Sequence, residues 1–183
     1  MNRNYQKELD RIIQKRGKTL PRVLLHGCCA PCSSSVLEYL SEYFDVTLLW
    51  YNPNIYPQEE FDRRFQALVK LIEDMGLAGR VQILAEPWKR EDYYKRVQGL
   101  EQEPEGGRRC TECFRLRLME TAKLAKMTGV AWLPSDFKKR DRENRSIALC
   151  EQYGVYRQLY CGCEFSLRHR QTVAEEKAAE NKE

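Results

Sequence analysis

The chain has 183 residues, of which 42% are hydrophobic and 32% are charged, and its formal net charge is +4. This length suits one domain with one core, and the composition excludes both an intrinsically disordered chain and an integral membrane protein. No apolar run approaches the roughly 20 residues that a membrane-spanning helix needs, and the polar N-terminus does not resemble a signal peptide. The sequence therefore predicts a cytoplasmic protein with no membrane partner.

Helices and short apolar strands alternate along the first half of the chain. Apolar residues at helical spacing predict the helices, and continuous apolar runs predict the strands. The predicted helices cover 4–15, 33–43 and 58–75, and the predicted strands cover 22–26, 45–51 and 81–85. Gly17 ends the first helix, and Gly76 or Gly79 ends the third.

The second half of the chain continues the alternation and then becomes polar. Helices are predicted at 90–97, 111–128 and 143–153, a strand at 130–134, and a cysteine-bearing loop at 156–166. The segment after about residue 172 is charged and poor in apolar residues, which predicts disorder. The expected organisation is a single α/β domain at 1–171 and a disordered tail at 172–183.

Apolar strands that alternate with helices predict an open, mostly parallel sheet with helices on both faces, in a Rossmann-like arrangement. In such sheets, ligands bind beyond the carboxyl ends of the strands, where the strand order reverses. The first predicted strand ends just before Cys28. A cysteine-bearing loop is therefore expected at the position where this architecture places chemistry.

Eight cysteines are the outlier in the composition. A reducing cytoplasm disfavours structural disulfides, so metal binding or redox chemistry becomes the default explanation. Seven of the cysteines lie at turns or helix starts, where a helix N-terminus lowers the thiol pKa and favours the metal-binding thiolate. The three groups are Cys28, Cys29 and Cys32; Cys110 and Cys113; and Cys161 and Cys163. Cys150 stands alone in a helical apolar stretch and is predicted to be a packed core residue.

Seven candidate ligands exceed the four of a structural zinc site, and the adjacent Cys28 and Cys29 do not match a zinc ribbon. Four thiolates can hold one four-iron cluster, which leaves three for a second metal, a redox pair or the substrate. Iron–sulfur chemistry is therefore favoured. Two interpretations remain open beside it: a zinc-binding RNA or protein interaction module, and a metal-free thiol oxidoreductase that uses Cys29 and Cys32 as a dithiol.

Five segments resemble the QueH family of epoxyqueuosine reductases. They are LLHGCCAPCSS at 24–34, YNPNIYPQEEFDRR at 51–64, EPEGGRRCTECFRLRL at 103–118, LPSDFKK at 133–139 and YGVYRQLYCGCEFS at 153–166. The resemblance implies an enzyme that reduces epoxyqueuosine to queuosine at the wobble position of transfer RNA. It also implies a 4Fe-4S cluster with a further mononuclear iron close by, held by the grouped cysteines.

The resemblance also implies what the enzyme does not use. The family's sheet is similar to that of adenine-nucleotide hydrolases of the PP-loop (HUP) kind, but CCAPCSS replaces the phosphate-binding glycine loop, so ATP use is not expected. Cobalamin is not expected either, because the cobalamin-dependent reductases of the same step differ from this chain. An electron donor is required, and the sequence does not identify it.

Reduction of an epoxide to an alkene requires two electrons, removal of an oxygen and a proton for that oxygen. The candidate proton donors are Asp136, Tyr160 and Lys138. Asp136 is alternatively a ligand of the second iron, because a carboxylate suits a harder metal site than a thiolate does. The candidate RNA contacts are basic: Lys138, Lys139 and Arg140 for phosphate, and Arg157 for phosphate or the extruded base.

One difference from the family is expected near residue 129. Family members usually carry an additional strand, loop and helix before the segment that corresponds to 132–139. In this chain Gly129 leads directly into the predicted strand, and this connection is shorter than the usual two to six residues. The chain is therefore expected to lack one strand and part of the substrate pocket, while it keeps all seven grouped cysteines.

Overall fold

The computed structural model describes residues 5–129, 131–132, 142–158 and 160–180. In these residues the helices are α1 (Tyr5–Lys15), α2 (Ala30–Leu40), α3 (Gln58–Asp74), α4 (Arg90–Val97), α5 (Arg108–Thr128), α6 (Arg142–Gln152) and α7 (Glu164–Glu180). The strands are β1 (Arg22–His26), β2 (Asp45–Trp50), β3 (Val81–Ala85) and β4 (Ala131–Trp132). Across the same residues, none of the helices combines the length and apolar character needed to span a bilayer.

The four described strands form one parallel sheet in the order β3-β2-β1-β4. In β1, Val23 pairs with Val46 of β2 on one side and with Ala131 of β4 on the other. The predicted open parallel sheet is therefore confirmed. Because the chain winds outward from β1 in one direction and then returns to its other side, the loop after β1 lies at the switch point of the sheet.

Side chains of the sheet alternate between two helical layers, as the period-two geometry of strands requires. On one face, Leu25 and Leu48 belong to the main core, to which α1, α2 and α3 also contribute. On the other face, Leu24 and Leu49 pack with Ala125 of α5. The prediction of helices on both faces is therefore confirmed.

The predicted bounds of β1, β3 and α4 agree with the structure, whereas α2 and α5 begin earlier than predicted and α7 was not predicted as a helix. α2 begins at Ala30 because Cys29 is its N-cap and Pro31 lies in its first turn, where a missing N–H removes no helical hydrogen bond. α5 begins at Arg108, so Cys110 lies within its first turn. α7 begins at Glu164, and the loop predicted for 164–166 is wrong.

α7 continues through residues 172–180, the first part of the segment for which a disordered tail was predicted. This stretch is rich in alanine, glutamate and lysine, which favour helix, and most of its described side chains are exposed. Residues 181–183 lie outside the described part of the chain. The division into a domain at 1–171 and a disordered tail at 172–183 stays a prediction.

α5 and β4 are joined by a very short connection. α5 is capped by Gly129, whose φ of 66° is in the left-handed region, and β4 is described from Ala131. β4 pairs directly with β1. The strand that follows α5 is therefore the direct neighbour of β1. This position agrees with the expectation that one strand of the family's sheet is missing between α5 and β4.

Candidate metal centre

The thiols after β1 form a compact group. The sulfur atoms of Cys28, Cys29 and Cys32 all lie within 4.8 Å of one another, and those of Cys28 and Cys29 are 4.0 Å apart. The extended backbone of Cys29 caps α2, and its carbonyl oxygen accepts a hydrogen bond from the amide of Ser33 at 3.1 Å. The end of β1 and the start of α2 thus bring the three thiols close together.

The pKa of Cys29 is held well below its usual value. Hydrogen bonds from the side chains of Cys28 and Cys32 lower the pKa of Cys29, against the effect of burial, and the side chain of Gln158 also contributes. Hydrogen bonds of Cys28 with Cys29 and Cys32, and then burial, raise the pKa of Cys28. The site therefore provides a buried thiolate at a helix N-terminus, with a second thiol in contact and a third exposed.

The third cysteine group lies directly before α7. The sulfur of Cys163 is 2.9 Å from the hydroxyl oxygen of Tyr93, and Cys163, Tyr93 and Cys113 share one buried cluster. A hydrogen bond from Cys161 lowers the pKa of Cys163 to about 5, with Tyr93 assisting and burial opposing. The pKa of Cys161 is raised, chiefly because it donates that hydrogen bond.

The backbone of the Cys161–Cys163 loop is held by α3 and by the loop after β2. Arg64 donates a hydrogen bond from Nη1 to the carbonyl oxygen of Cys161 at 3.1 Å, and the amide of Tyr56 donates to the carbonyl oxygen of Gly162 at 2.9 Å. Gly162 has a φ of 99°, and a Cβ there would lie 2.6 Å from Nη1 of Arg64. Only glycine fits this position without displacing the loop or Arg64.

The second cysteine group lies in the first two turns of α5. The sulfur of Cys110 accepts a hydrogen bond from the amide of Gly106 at 3.2 Å. Cys113 is buried, which raises its pKa, and the positive charge of Arg117 acts in the opposite direction. Cys113 also interacts electrostatically with Cys163 and Cys110, so the second group joins the third group at one site.

Arg117 and Asn52 connect this site to the thiols after β1. Arg117 donates from Nε to the carbonyl oxygen of Cys113 at 3.4 Å and from Nη1 to Oδ1 of Asn52 at 3.5 Å. Asn52 in turn donates from Nδ2 to the carbonyl oxygen of Gly27 at 2.8 Å. Neither residue was a predicted site residue. The usable sequence signal was the spacing of Arg117, one helical turn after Cys113.

His26, at the end of β1, makes a structural hydrogen bond. Its Nε2 is 3.0 Å from the carbonyl oxygen of Tyr51, so this nitrogen carries the proton and donates. Burial and the charge of Arg117 lower the pKa of His26 to about 3. The imidazole is therefore neutral at physiological pH and joins the ends of β1 and β2.

Of the other predicted site residues, the structure describes only Tyr160 and Arg157. Tyr160 precedes Cys161, and its ring centroid lies 5.2 Å from the guanidinium carbon of Arg64. Arg157 is exposed and lies one residue before Gln158, the side chain that contacts Cys29. The candidates Asp136, Lys138, Lys139 and Arg140 lie outside the described residues.

Cys150 is a core residue, as predicted. Its side chain is 3% exposed on α6, and burial raises its pKa. The hydroxyls of Ser34 and Ser146 lie 3.0 Å apart beside it and both donate to the carbonyl oxygen of Pro31. Cys150 therefore supports the packing of α6 on α2.

A protein-family model described as Epoxyqueuosine reductase QueH matches residues 23–132 and 125–169 of this chain. Curated proteins with that name are similar over most of its length. The one from Streptococcus pyogenes serotype M1 is 34% identical over 207 residues, covering 92% of this chain and 81% of the relative. The one from Staphylococcus epidermidis is 36% identical over 200 residues, covering 89% and 84%, and the one from Thermotoga maritima is 29% identical over 179 residues, covering 81% and 91%.

The family match is broken at one internal position. Its two parts overlap at residues 125–132, where α5 ends and β4 begins. The alignment with the Streptococcus relative extends over 207 residues, whereas this chain has 183. The relative therefore carries residues that this chain lacks, in agreement with the expected absence of a segment near residue 129.

Proposed function

The chain belongs to the QueH family of epoxyqueuosine reductases, and from this premise we propose that it reduces epoxyqueuosine to queuosine in transfer RNA. The overall change consumes two electrons and two protons and releases the epoxide oxygen as water. The observation that carries the proposal is the meeting of Cys28, Cys29 and Cys32 within 4.8 Å at the switch point of the sheet. We expect this activity in the cytoplasm, because its substrate is transfer RNA.

The donor set fits a metal–thiolate centre. The three thiols after β1 lie together, and Cys113 of the second group interacts with Cys110 and with both cysteines of the third group. We assign the 4Fe-4S cluster and a further mononuclear iron to these seven cysteines, with Asp136 as an additional candidate ligand of the iron. When bound, they supply electrons and a Lewis-acidic site for the epoxide oxygen.

The protein's own side chains hold and donate protons around this centre. Burial raises the pKa of Tyr160, so its phenol keeps a proton that can be donated beside Cys161. Asp136 and Lys138 are the other candidate donors. Tyr93 and Gln158 hydrogen-bond to Cys163 and Cys29 and hold these sulfurs in place.

Basic residues around the site bind the RNA in this proposal. Arg157 is exposed and lies next in the chain to Gln158, which contacts Cys29, and it is assigned to phosphate or the extruded base. Lys138, Lys139 and Arg140 are assigned to phosphate. Neutralising the three together is expected to weaken RNA binding and flatten its salt dependence, because each phosphate contact releases a counterion.

The experiment begins with protein purified without oxygen. We expect about four or five irons and four sulfides per chain, the content of a cubane with one further iron. Transfer RNA carrying epoxyqueuosine is then incubated with the protein and dithionite, and its nucleosides are measured by mass spectrometry. Conversion to queuosine that is lost in Cys29→Ala supports the proposal.

The alternatives give different results in the same experiment. Stoichiometric zinc without sulfide, and no conversion, indicates the zinc-binding interaction module. Conversion by metal-free protein indicates the thiol oxidoreductase. A full iron–sulfur content without conversion contradicts the proposed activity for this chain.

A further inference from the structure

Arg117 is a buried cation among thiols. Its side chain is 6% exposed, with Nε directed to the carbonyl oxygen of Cys113 and Nη1 to Oδ1 of Asn52. The ring of Phe114 lies 4.8 Å from the guanidinium carbon. In the part of the chain that the structure describes, no carboxylate lies within ion-pair distance of this guanidinium. A charge in such a position needs another source of negative charge.

Two other buried arginines show how such a charge is compensated in this fold. Arg64 forms an ion pair of 2.6 Å with Glu60, and both side chains are buried. Arg109 donates hydrogen bonds to the carbonyl oxygens of Glu101 and Glu103, in the loop before α5. Arg117 donates to carbonyl oxygens as Arg109 does, and the ionisable groups that act on its charge are cysteines.

The electrostatic partners of Arg117 include one cysteine from each of the three groups. They are Cys113, Cys28 and Cys161, and they favour the charged guanidinium against the effect of burial. The position of the guanidinium is fixed from both sides, by α5 through Cys113 and by the loop before Cys28 through Asn52.

We propose that Arg117 is the resident counter-cation of the metal–thiolate centre, where it offsets the negative charge of thiolates from all three cysteine groups and raises the reduction potential of the bound cluster. This inference rests on the proposed function. A cluster held by thiolates is anionic, and an added electron makes it more so. A fixed positive charge nearby, in a site that excludes water, lowers the free energy of that reduced state.

The test compares Arg117→Gln, Arg117→Lys and the control Arg115→Gln. Arg115 lies two residues away on α5, is 55% exposed and pairs with Glu112. Each protein is purified without oxygen, and its iron content and midpoint potential are measured. We expect Arg117→Gln to disfavour the reduced cluster by about tenfold, which for one electron is about 59 mV lower in potential. Arg117→Lys, which keeps the charge, is expected to stay near the parent value, as is Arg115→Gln.

Equal potentials in Arg117→Gln and the parent protein overturn the proposal and leave Arg117 a purely structural role. If circular dichroism shows that Arg117→Gln is unfolded, the test depends on Arg117→Lys. A midpoint potential about 59 mV lower in Arg117→Lys than in the parent protein overturns the proposal. Retention of the iron content and of the midpoint potential supports it.

If the parent protein holds zinc without sulfide, the proposed function is refuted. The role of Arg117 as a counter-cation can still be tested in that case. Zinc affinity then replaces the potential: a roughly tenfold loss in Arg117→Gln alone supports the charge role, and equal affinity in the three variants overturns it.

Discussion

The hydroxyl of Tyr93 lies 2.9 Å from the sulfur of Cys163, and both side chains are buried. Burial first, and then the neighbouring Cys163, raise the pKa of Tyr93, so the phenol keeps its proton and donates it in this hydrogen bond. This bond and the one from Cys161 favour the thiolate of Cys163. A neutral donor on α4 thus stabilises a candidate metal ligand at the start of α7.

Replacement Tyr93→Phe removes this donor while it keeps the ring. Hydrogen bonds to charged groups contribute about 1.5–3 kcal/mol, so metal is expected to dissociate at least tenfold more readily. The measurement is iron and zinc retained at neutral pH against a graded series of chelator concentrations. Tyr43→Phe, a half-exposed tyrosine after α2, is the control. Chelator resistance equal to that of the parent protein would contradict the role assigned to the hydroxyl.

Replacement Gly162→Ala tests the contact between the Cys161–Cys163 loop and Arg64. The added Cβ would lie 2.6 Å from Nη1 of Arg64, and the φ of 99° disfavours any side chain. Gly154→Ala is the matched control, because Gly154 has a φ of 59° with nothing within 4 Å of an added Cβ. The control is expected to cost about 1–2 kcal/mol of unfolding free energy.

Gly162→Ala is expected to cost more than this control and to lower iron content as well, because Arg64 must move away from the loop. Both free energies are measured by urea unfolding. Equal losses in the two variants, with iron content unchanged, would mean that the close approach of Arg64 has no role in holding the loop.

Replacement Glu60→Gln leaves Arg64 buried without its carboxylate partner. Breaking a buried pair in this way costs roughly 3–5 kcal/mol of unfolding free energy at neutral pH. Asp74→Asn on the same helix is the control, because the Lys70–Asp74 pair is more exposed and is expected to contribute less than about 1 kcal/mol.

The stability difference between Glu60→Gln and the parent protein is expected to depend on pH. Burial opposes ionisation of Glu60, but its hydrogen bonds with Arg63 and Arg64 prevail and lower its pKa. A carboxyl whose pKa is lowered on folding stabilises the protein above its unfolded pKa of about 4.3, and this contribution is lost as the pH falls through the folded value. Urea unfolding from pH 7 to pH 3 checks this. A difference that does not shrink on acidification would contradict the assignment.

Cys29 and Cys150 are both 3% exposed, yet only Cys29 lies in the candidate metal centre. Cys29→Ala is therefore expected to abolish most iron binding, whereas Cys150→Ala is expected to keep it. Both should lose about 1 kcal/mol of stability, the usual cost of a buried truncation. Metal analysis of the two purified variants is the measurement, and equal iron loss would show that burial, not ligation, determines metal content.

The sequence alone determined the fold class and the bounds of several elements. β1 and β3 were predicted to the residue, because each is a continuous apolar run of the length of a strand. The starts of α2 and α5 were placed too late, because Cys29 caps its helix through the backbone and Gly107 caps α5 without a side-chain bond. Such caps have no side-chain signature in the sequence.

Which side chains meet was decided by the tertiary structure. Cys113 and Cys163 lie far apart in the chain and share a buried cluster only because α5 and the start of α7 pack on Tyr93. Arg115 and Arg117 are equivalent in sequence terms. The 3.6-residue period of α5 then directs Arg117 into the thiol site and leaves Arg115 in solvent. Local propensity cannot make that distinction, because it depends on the rotation of α5 against the sheet.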